Sequence, residues 1–279
     1  MQENLLTQIS LAEINDQIKE LETLDRQSIT IDELKLKISR LMKGHTVRLR
    51  EIVAKKIFRA RKTPQNIVFN RVNELWYPPT NLITKYGRCN NINSTIFYCS
   101  DSEPTAILEL RPEIGFYLTI LKCHLKDSNS IPHVQELGLP EFTAKFNPQL
   151  GGTVLENTAL GKAYWQNQDD EVKNLAIRSF LVKEFIQNVL PGNEDQYKIS
   201  VAISEILMNS DEFDGICYPS IATQHRGTNL ALKPTSVDSL YQPVDCWIVL
   251  VEDRNAKSDY QVRLIKKARS IKPDGIIEW

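Results

Sequence analysis

The chain has 279 residues, of which 42% are hydrophobic and 25% charged, a composition typical of a globular protein and not of a disordered or membrane-embedded one. Its formal net charge of −1 argues against binding driven by bulk charge, whether to nucleic acid or to an anionic membrane. Only 11 residues are glycine, which argues against a glycine-rich phosphate loop. Any anion-binding site is therefore expected to be local.

Sequence signals for targeting, disulfide bonding and metal binding are also lacking. The first residues have no basic region followed by an apolar run, and no stretch approaches the roughly 18 apolar residues that a transmembrane helix needs. The five cysteines form no Cys-x-x-Cys pair, and the four histidines form no metal-binding pair. We therefore expect a cytoplasmic protein with reduced thiols, without a metal, and with neither nucleic acid nor membrane as a partner.

Residues 1–50 differ from the rest of the chain. They contain no proline and one glycine, and their apolar residues recur at near-helical spacing. Thr30 and Glu33 have the spacing of a capping box, which predicts a helix that ends near Gly44. Two or three amphipathic helices are expected here. They fit either packing against the main domain or an arm that forms a homo-oligomer.

Residues 51–279 are predicted to form one α+β domain, because strand-like segments alternate irregularly with helical ones. Strands are predicted at 57–61, 95–99, 116–125, 215–218, 229–233, 246–251 and 260–265. The capping-box spacing of Ser100 and Glu103 predicts a short helix through Leu110.

A helical insertion is predicted over about 141–210. Its main helix presents one apolar face through Val172, Leu175, Ala176, Ser179, Val182, Phe185, Ile186 and Val189. A second helix is expected around 201–208.

Six polar or aromatic residues stand at unusual places within the strand-like segments: Arg59, Arg88, Tyr98, Glu109, Ser220 and Asn229. Taken singly, each fits an ordinary surface, core or turn role. Their ordered combination indicates one site. Nearby cysteines raise the alternative of thiol catalysis, but no His–Cys spacing supports it.

The segment YGRCNNINSTIFYCSDSEPTAILELRP resembles the signature of the RES-domain family: a Gly-Arg-x-Asn turn, a strand ending in Tyr, and a helix carrying Glu. Two further segments, IFRAR and DGICYPSIATQHRGTNLAL, match the family in the same order, so the resemblance covers roughly 55–250. Glu109 and Ser220 match the Glu and Ser for which the family is named. Its Arg corresponds to Arg88 or Arg59, and we favour Arg88.

The chain departs from the family pattern in two ways. Cys89 follows the turn arginine, where the family usually has an aromatic or bulkier residue. The N-terminal region and the long helical insertion place the chain in a longer branch of the family.

The resemblance implies an ADP-ribosyltransferase-like fold with a split β-sheet core. It also implies an enzyme that cleaves the nicotinamide–ribose bond of NAD, with phosphate or water as acceptor. NAD would be the substrate and no cofactor is expected. Characterised members are toxins of toxin–antitoxin pairs, so a cognate antitoxin is an expected partner.

The same resemblance implies roles for the six residues. Arg88, Tyr98 and Glu109 would form the catalytic set, in which Glu109 stabilises an oxocarbenium-like ribose and Tyr98 offers the nicotinamide ring a flat face. The remaining three would bind NAD: Arg59, which with Arg88 holds the pyrophosphate, and Ser220 and Asn229, which orient ribose hydroxyls or phosphate.

Two alternatives stay open at this point. The protein could transfer ADP-ribose to a protein target, because the bond that breaks is the same. It could also be a non-catalytic interaction protein that keeps the fold and binds through its N-terminal helices.

Overall fold

The computed structural model describes residues 5–45, 48–51, 55–65, 67–139, 168–224, 226–254 and 259–279. The helices of these ranges are α1 (Leu11–Thr23), α2 (Ile31–Leu41), α3 (Glu103–Glu109), α4 (Gln168–Phe185), α5 (Lys198–Leu207) and α6 (Pro234–Leu240). The strands are β1 (Arg48–Glu51), β2 (Lys56–Thr63), β3 (Phe97–Ser100), β4 (Tyr117–Leu125), β5 (His133–Glu136), β6 (Gly215–Pro219), β7 (Thr228–Leu232), β8 (Tyr241–Arg254), β9 (Tyr260–Lys267), β10 (Ser270–Ile271) and β11 (Ile277–Glu278).

This set of elements confirms the α+β class, and all seven predicted strands are present. The sequence did not predict β1, β5, β10, β11 or α6. The part of the predicted helical insertion from 141 to 167 lies outside the described residues.

The large sheet is nearly divided in two. Its strand order is β1-β5-β6-β7-β3-β2-β4-β8-β9, with β5 and β6 parallel and the other neighbours antiparallel. β2 pairs with β4 along its whole length, whereas β2 and β3 share one register pair, Phe58 with Ser100. The sheet therefore consists of a five-stranded and a four-stranded half that separate along β2 and β3.

The N-terminal helices cover the five-stranded half. The Thr30 hydroxyl accepts a hydrogen bond of 3.3 Å from the Glu33 amide, and the Glu33 carboxylate accepts one of 2.9 Å from the Thr30 amide, which confirms the predicted capping box. Ser10 and Glu13 form a second capping box at the start of α1 that the sequence analysis overlooked. α1 packs on α4 and α2 on α5, and their apolar residues belong to one core cluster.

This packing favours the first of the two alternatives for the N-terminal helices. The apolar faces of α1 and α2 are already buried against α4 and α5. Formation of a homo-oligomer through these helices stays a prediction. The predicted domain boundary at residue 50 falls within β1, which pairs with β5 of the large sheet.

α3 begins later than the capping-box spacing predicts. The N-cap of α3 is Ser102. Ser100 is the last residue of β3, and the Ser100 hydroxyl donates to the side chain of Asn229. That prediction was wrong because strand pairing holds Ser100 in an extended conformation. α3 ends at Glu109, since Arg111 adopts a left-handed φ of 43° and Pro112 cannot continue a helix.

The buried face of α4 also differs from the prediction. Val172 and Leu175 are exposed, whereas Ile177, Phe180 and Leu181 are buried. The buried face also carries Lys173, Asn174, Arg178 and Glu184. Val182 and Phe185 of the predicted face are buried as expected, so the prediction holds for the C-terminal part of the helix. It was wrong in the N-terminal part, because polar side chains share the core face there.

Among the residues that the structure describes, none of the helices combines the length and apolar character needed to cross a membrane.

Candidate active site

A cleft of about 350 Å³ opens where the two halves of the sheet separate, and this volume is within the range of small-molecule sites. It is lined by Phe58, Arg59, Ala60, Arg88, Tyr98, Cys99, Ser100, Ala106, Glu109, Leu110, Tyr197, Tyr218 and Asn229. Five of the six predicted site residues are therefore in one cleft. The sixth, Ser220, is fully buried and contacts Glu109 directly.

Strand register builds the floor of this cleft. Ser100 of β3 pairs with Phe58 of β2 on one side and with Asn229 of β7 on the other, and Asn229 pairs in turn with Tyr218 of β6. Residues that pair across neighbouring strands point to the same face of a sheet. One row across four strands thus carries an aromatic ring, a hydroxyl, an amide and a second ring into the cleft.

Glu109, the last residue of α3, is held above this row by one carboxylate oxygen. Its Oε1 accepts hydrogen bonds of 2.6 Å from the Ser220 hydroxyl and 2.6 Å from Asn229 Nδ2. Ser100 donates to Asn229 Oδ1 at 2.8 Å, which orients the amide so that its nitrogen faces the carboxylate. Oε2 accepts no hydrogen bond from the described residues, so one oxygen is fixed and the other is available.

The turn after β6 fixes Ser220. The Thr223 amide donates to the Ser220 hydroxyl at 3.2 Å, and the Thr223 hydroxyl donates to the Ser220 carbonyl at 3.1 Å. A Cβ at Gly227 would lie 2.2 Å from Oγ1 of Thr105 in α3, so glycine is required where this turn meets the helix. The turn and α3 are therefore in close contact, which keeps Ser220 and Glu109 together.

Arg59 brings a cation to the cleft from β2. Its Nη1 donates to the Tyr98 carbonyl at 2.6 Å, and its guanidinium lies 5.1 Å from the Phe97 ring centroid. Its Nε is buried and has no hydrogen-bond partner within the described ranges. Burial lowers the pKa of Arg59 to about 10, so the group stays charged at neutral pH. A buried cation with an unused donor favours an anion beside it.

Arg88 reaches the cleft from a turn. Its guanidinium donates to the main-chain carbonyls of Phe185, at the end of α4, and of Gln187, the second at 3.0 Å. The rings of Tyr197 and Tyr218 lie 5.3 Å and 5.7 Å from its central carbon. Carbonyls and aromatic rings both favour a cation, so the position of this guanidinium is set by packing against the helical insertion.

Tyr98 holds the turn that carries Arg88. Its hydroxyl donates to Asn90 Oδ1 at 3.0 Å and accepts from the Cys89 amide at 2.8 Å. Burial raises the pKa of Tyr98 well above its ordinary value, so the hydroxyl stays protonated. The ring lines the cleft, and its use as a face for nicotinamide stays a prediction.

Ser220 and Asn229 were predicted to orient ribose hydroxyls or phosphate, and the structure gives both of them a contact with Glu109. Site residues that the sequence analysis missed are Ser100, Tyr197 and Tyr218. Tyr218 directly precedes Pro219 and Ser220, so the family motif already contained it. Tyr197 closes a short 3-10 helix (Glu194–Tyr197) far from any motif, and no signal in the sequence marks it.

The thiols near the cleft are poor nucleophiles. Cys89 and Cys99 are buried, and burial raises the pKa of Cys89 to about 12 and that of Cys99 still further. The reactive form of cysteine is the thiolate, which is scarce at neutral pH when the pKa is this high. Within the described ranges, no group of three or more His, Cys, Asp or Glu side chains is placed to hold a metal ion.

The cleft where the two halves of the sheet separate therefore combines one acidic residue, Glu109, with two basic residues, Arg59 and Arg88. The family model of the RES domain matches residues 56–249, well over half of the chain, and the chain belongs to the RES-domain family. The RES domain is compatible with an ADP-ribosyltransferase-like fold, is consistent with a family of NAD-related toxins, and indicates an NAD-utilising enzyme. No curated protein matches the chain.

Proposed function

We propose that this protein degrades NAD by cleaving the bond between nicotinamide and ribose. The observation that carries the proposal is the cleft itself, which is lined by Glu109, Arg59 and Arg88. NAD has matching features, because its C1′ becomes cationic as nicotinamide leaves and its pyrophosphate carries two negative charges.

Glu109 acts on the reacting carbon. When the glycosidic bond breaks, its electron pair leaves with neutral nicotinamide, and positive charge develops on C1′ and the ring oxygen of the ribose. A fixed carboxylate lowers the energy of that oxocarbenium-like state more than the energy of bound NAD. Ser220 and Asn229 already hold one oxygen of Glu109, so little reorganisation is needed during the reaction.

The two arginines bind the pyrophosphate. The unused buried Nε of Arg59 and the ring-flanked guanidinium of Arg88 supply fixed charge without a glycine-rich loop. A pyrophosphate needs only this small local group of cations, which reconciles an anionic substrate with a net charge of −1.

An acceptor completes the reaction at C1′. Water would give ADP-ribose and release a proton, whereas inorganic phosphate would give ADP-ribose carrying a phosphate at C1′. Since the RES domain is consistent with NAD-related toxins, we propose that the protein acts in the cytoplasm as the toxin of a toxin–antitoxin pair, with an antitoxin protein as its inhibitor.

The deciding experiment incubates the purified full chain with NAD, with and without phosphate, and measures released nicotinamide by chromatography. Mass spectrometry of the second product separates ADP-ribose, its phosphate ester and a modified protein. Nicotinamide release with either small-molecule product supports the proposal. Labelling of protein would favour ADP-ribosyl transfer, and a folded chain that leaves NAD intact in both buffers would contradict the proposal.

Substitution of Glu109 tests the assignment of the carboxylate. Glu109→Gln keeps an oxygen for Ser220 and Asn229 but removes the charge, so turnover should fall at least about 100-fold. The affinity for NAD, measured by calorimetry, should change by less than about threefold, because the arginines remain. Glu113→Gln, a nearby exposed carboxylate outside the cleft, is the matched control and should keep wild-type turnover. Equal turnover in all three proteins would remove Glu109 from the reaction.

A further inference from the structure

We propose that Arg26, in the turn between α1 and α2, is a positioning residue for Arg88. It lies outside the matched segment 56–249, in a region for which the sequence alone gave no catalytic role. The inference rests on the proposed function, because it assigns to the N-terminal region a part in binding the same substrate.

Arg26 contacts two side chains near the end of α4 and one carbonyl in the 3-10 helix Glu194–Tyr197 that follows. Its Nη2 donates to Glu184 Oε1 at 3.1 Å, and its Nη1 donates to Gln187 Oε1 at 3.2 Å. Its Nη1 also donates to the main-chain carbonyl of Gln196 at 2.8 Å. One guanidinium from the N-terminal region thus joins the end of α4 to the start of the next helical segment.

The ion pair at the centre of this contact is buried. The side chain of Glu184 is 1% exposed and that of Arg26 is 11% exposed, with 3.1 Å between Nη1 and Oε2. Gln187 Nε2 donates to the same Glu184 oxygen at 2.6 Å, which closes a triangle of three side chains. A buried carboxylate that loses its cation is strongly destabilised, so this triangle depends on Arg26.

Arg88 rests on the opposite side of the same segment. Its guanidinium donates to the carbonyls of Phe185 and Gln187, so Gln187 binds Arg26 with its side chain and Arg88 with its main chain. The Tyr197 ring stacks on Arg88, and the carbonyl held by Arg26 belongs to the preceding residue, Gln196. Arg26 therefore holds the segment that supplies both carbonyls and one of the two rings that locate Arg88.

Loss of Arg26 is expected to change the Michaelis constant for NAD more than kcat. Loss of Arg26 frees the segment on which Arg88 rests, and leaves Glu109 with its partners Ser220 and Asn229 on the other side of the cleft. Substrate binding should weaken while the carboxylate stays in place. The Michaelis constant for NAD should therefore rise without an equal loss of kcat.

The test compares Arg26→Gln, Arg26→Lys and Lys183→Gln with the wild-type full chain in steady-state NAD turnover. We expect KM to rise about tenfold in Arg26→Gln, with kcat within twofold, and to rise less in Arg26→Lys, which keeps the charge but loses the fork. Lys183→Gln is the matched control, because it breaks an exposed ion pair of 2.6 Å between α4 and Glu22 of α1 beside Glu184. Lys183→Gln should have the wild-type KM and kcat for NAD.

A second variant keeps the test decisive if Arg26→Gln does not fold. Gln187→Ala removes the side chain that links Arg26 to the Arg88 carbonyls and leaves the Arg26–Glu184 ion pair intact, and it should raise KM about threefold. Wild-type KM in the folded variants, or the same changes in Lys183→Gln, would overturn the inference alone. A wild-type chain that does not turn over NAD would overturn the proposed function, and the inference with it.

Discussion

The two sides of the cleft are built in different ways. The carboxylate wall consists of Ser100, Glu109, Ser220 and Asn229. The guanidinium wall consists of Arg88, Tyr98, Tyr197 and Tyr218. In the first, side chains on or beside β3, β6, β7 and α3 hydrogen-bond to one another. In the second, an arginine rests on main-chain carbonyls and aromatic rings supplied by the helical insertion and the sheet.

Because the two walls are built differently, we expect them to affect different kinetic constants. The carboxylate wall is held by hydrogen bonds among its own side chains, and two of its residues, Ser100 and Asn229, are paired in a strand register that cannot shift by a fraction of a residue. The guanidinium wall is held by contacts of Arg88 with main-chain carbonyls and aromatic rings of other segments, and such packing tolerates small displacements. We expect damage to the first wall to lower kcat, and damage to the second to raise KM.

Among substitutions that leave Glu109 itself unchanged, the largest effect is expected from Asn229→Ala, which breaks the carboxylate wall. Asn229 is buried, donates to Glu109 and accepts from Ser100, so its loss leaves two polar groups without their partner. We expect kcat for nicotinamide release to fall roughly 100-fold, with KM little changed, because a misplaced carboxylate costs about that much. The free energy of unfolding in urea should fall by about 2 kcal/mol.

A matched control for this change is Asn91→Ala. Asn91 also donates to a glutamate, Glu205, at 2.9 Å, but it does not line the cleft. Its kcat should equal that of the wild type. A fall in both kcat values by the same factor would show that general loosening, and not the position of Glu109, is responsible.

A smaller effect is expected from Arg88→Lys in the guanidinium wall. Lysine keeps the charge but cannot bind two carbonyls with one planar group or stack as a plane on the two rings. We expect KM for NAD to rise about tenfold, with kcat within threefold, which corresponds to the loss of about 1.4 kcal/mol of binding. Steady-state nicotinamide release over a range of NAD concentrations measures both constants.

Arg61→Lys is the control for this substitution. Arg61 also donates to a main-chain carbonyl, that of Glu74, and stacks at 4.9 Å on Phe69, but it lies outside the cleft. Arg61→Lys should leave KM for NAD unchanged. If Arg88→Lys lowers kcat as strongly as Asn229→Ala, the two walls do not act separately.

The sequence predicted the carboxylate wall better than the guanidinium wall, for a physical reason. The segments that resemble the RES-domain signature contain Glu109, Ser220 and Asn229, and each of these segments is contiguous in the sequence. The capping-box prediction at Ser100 failed because pairing between strands overrode the preference of four consecutive residues.

The support of Arg88 could not be predicted in this way. Its partners come from the end of α4 and from Tyr197, which no local pattern connects to the Gly-Arg turn. The face of α4 was mispredicted in part, because Arg178 and Glu184 are buried there through ion pairs with Glu136 and Arg26. Buried charges of this kind depend on tertiary partners and leave no apolar periodicity.

The smallest effect tests how firmly the turn of the guanidinium wall is packed. Burial raises the pKa of Cys89 to about 12, whereas an unfolded thiol has a pKa of about 8.5 to 9. Between these values the unfolded chain has lost a proton that the folded chain retains, so stability falls as the pH rises. The free energy of unfolding of the wild type should fall as the pH rises from 7.5 to 9.5. Cys89→Ala should make this fall smaller by about 1 kcal/mol, measured by urea unfolding in the presence of reductant.

Cys246, in β8 of the four-stranded half, is the comparison for this measurement. Burial raises its pKa to about 12 as well, so Cys246→Ala should remove a similar portion of the alkaline loss. If the two substitutions reduce the alkaline loss of unfolding free energy equally, the turn beside Arg88 excludes water as completely as the buried position of Cys246 in β8. A clearly smaller portion for Cys89 would mean that this turn opens in solution. The position of Arg88 would then be established only when substrate binds, whereas the carboxylate wall is already held by its own hydrogen bonds.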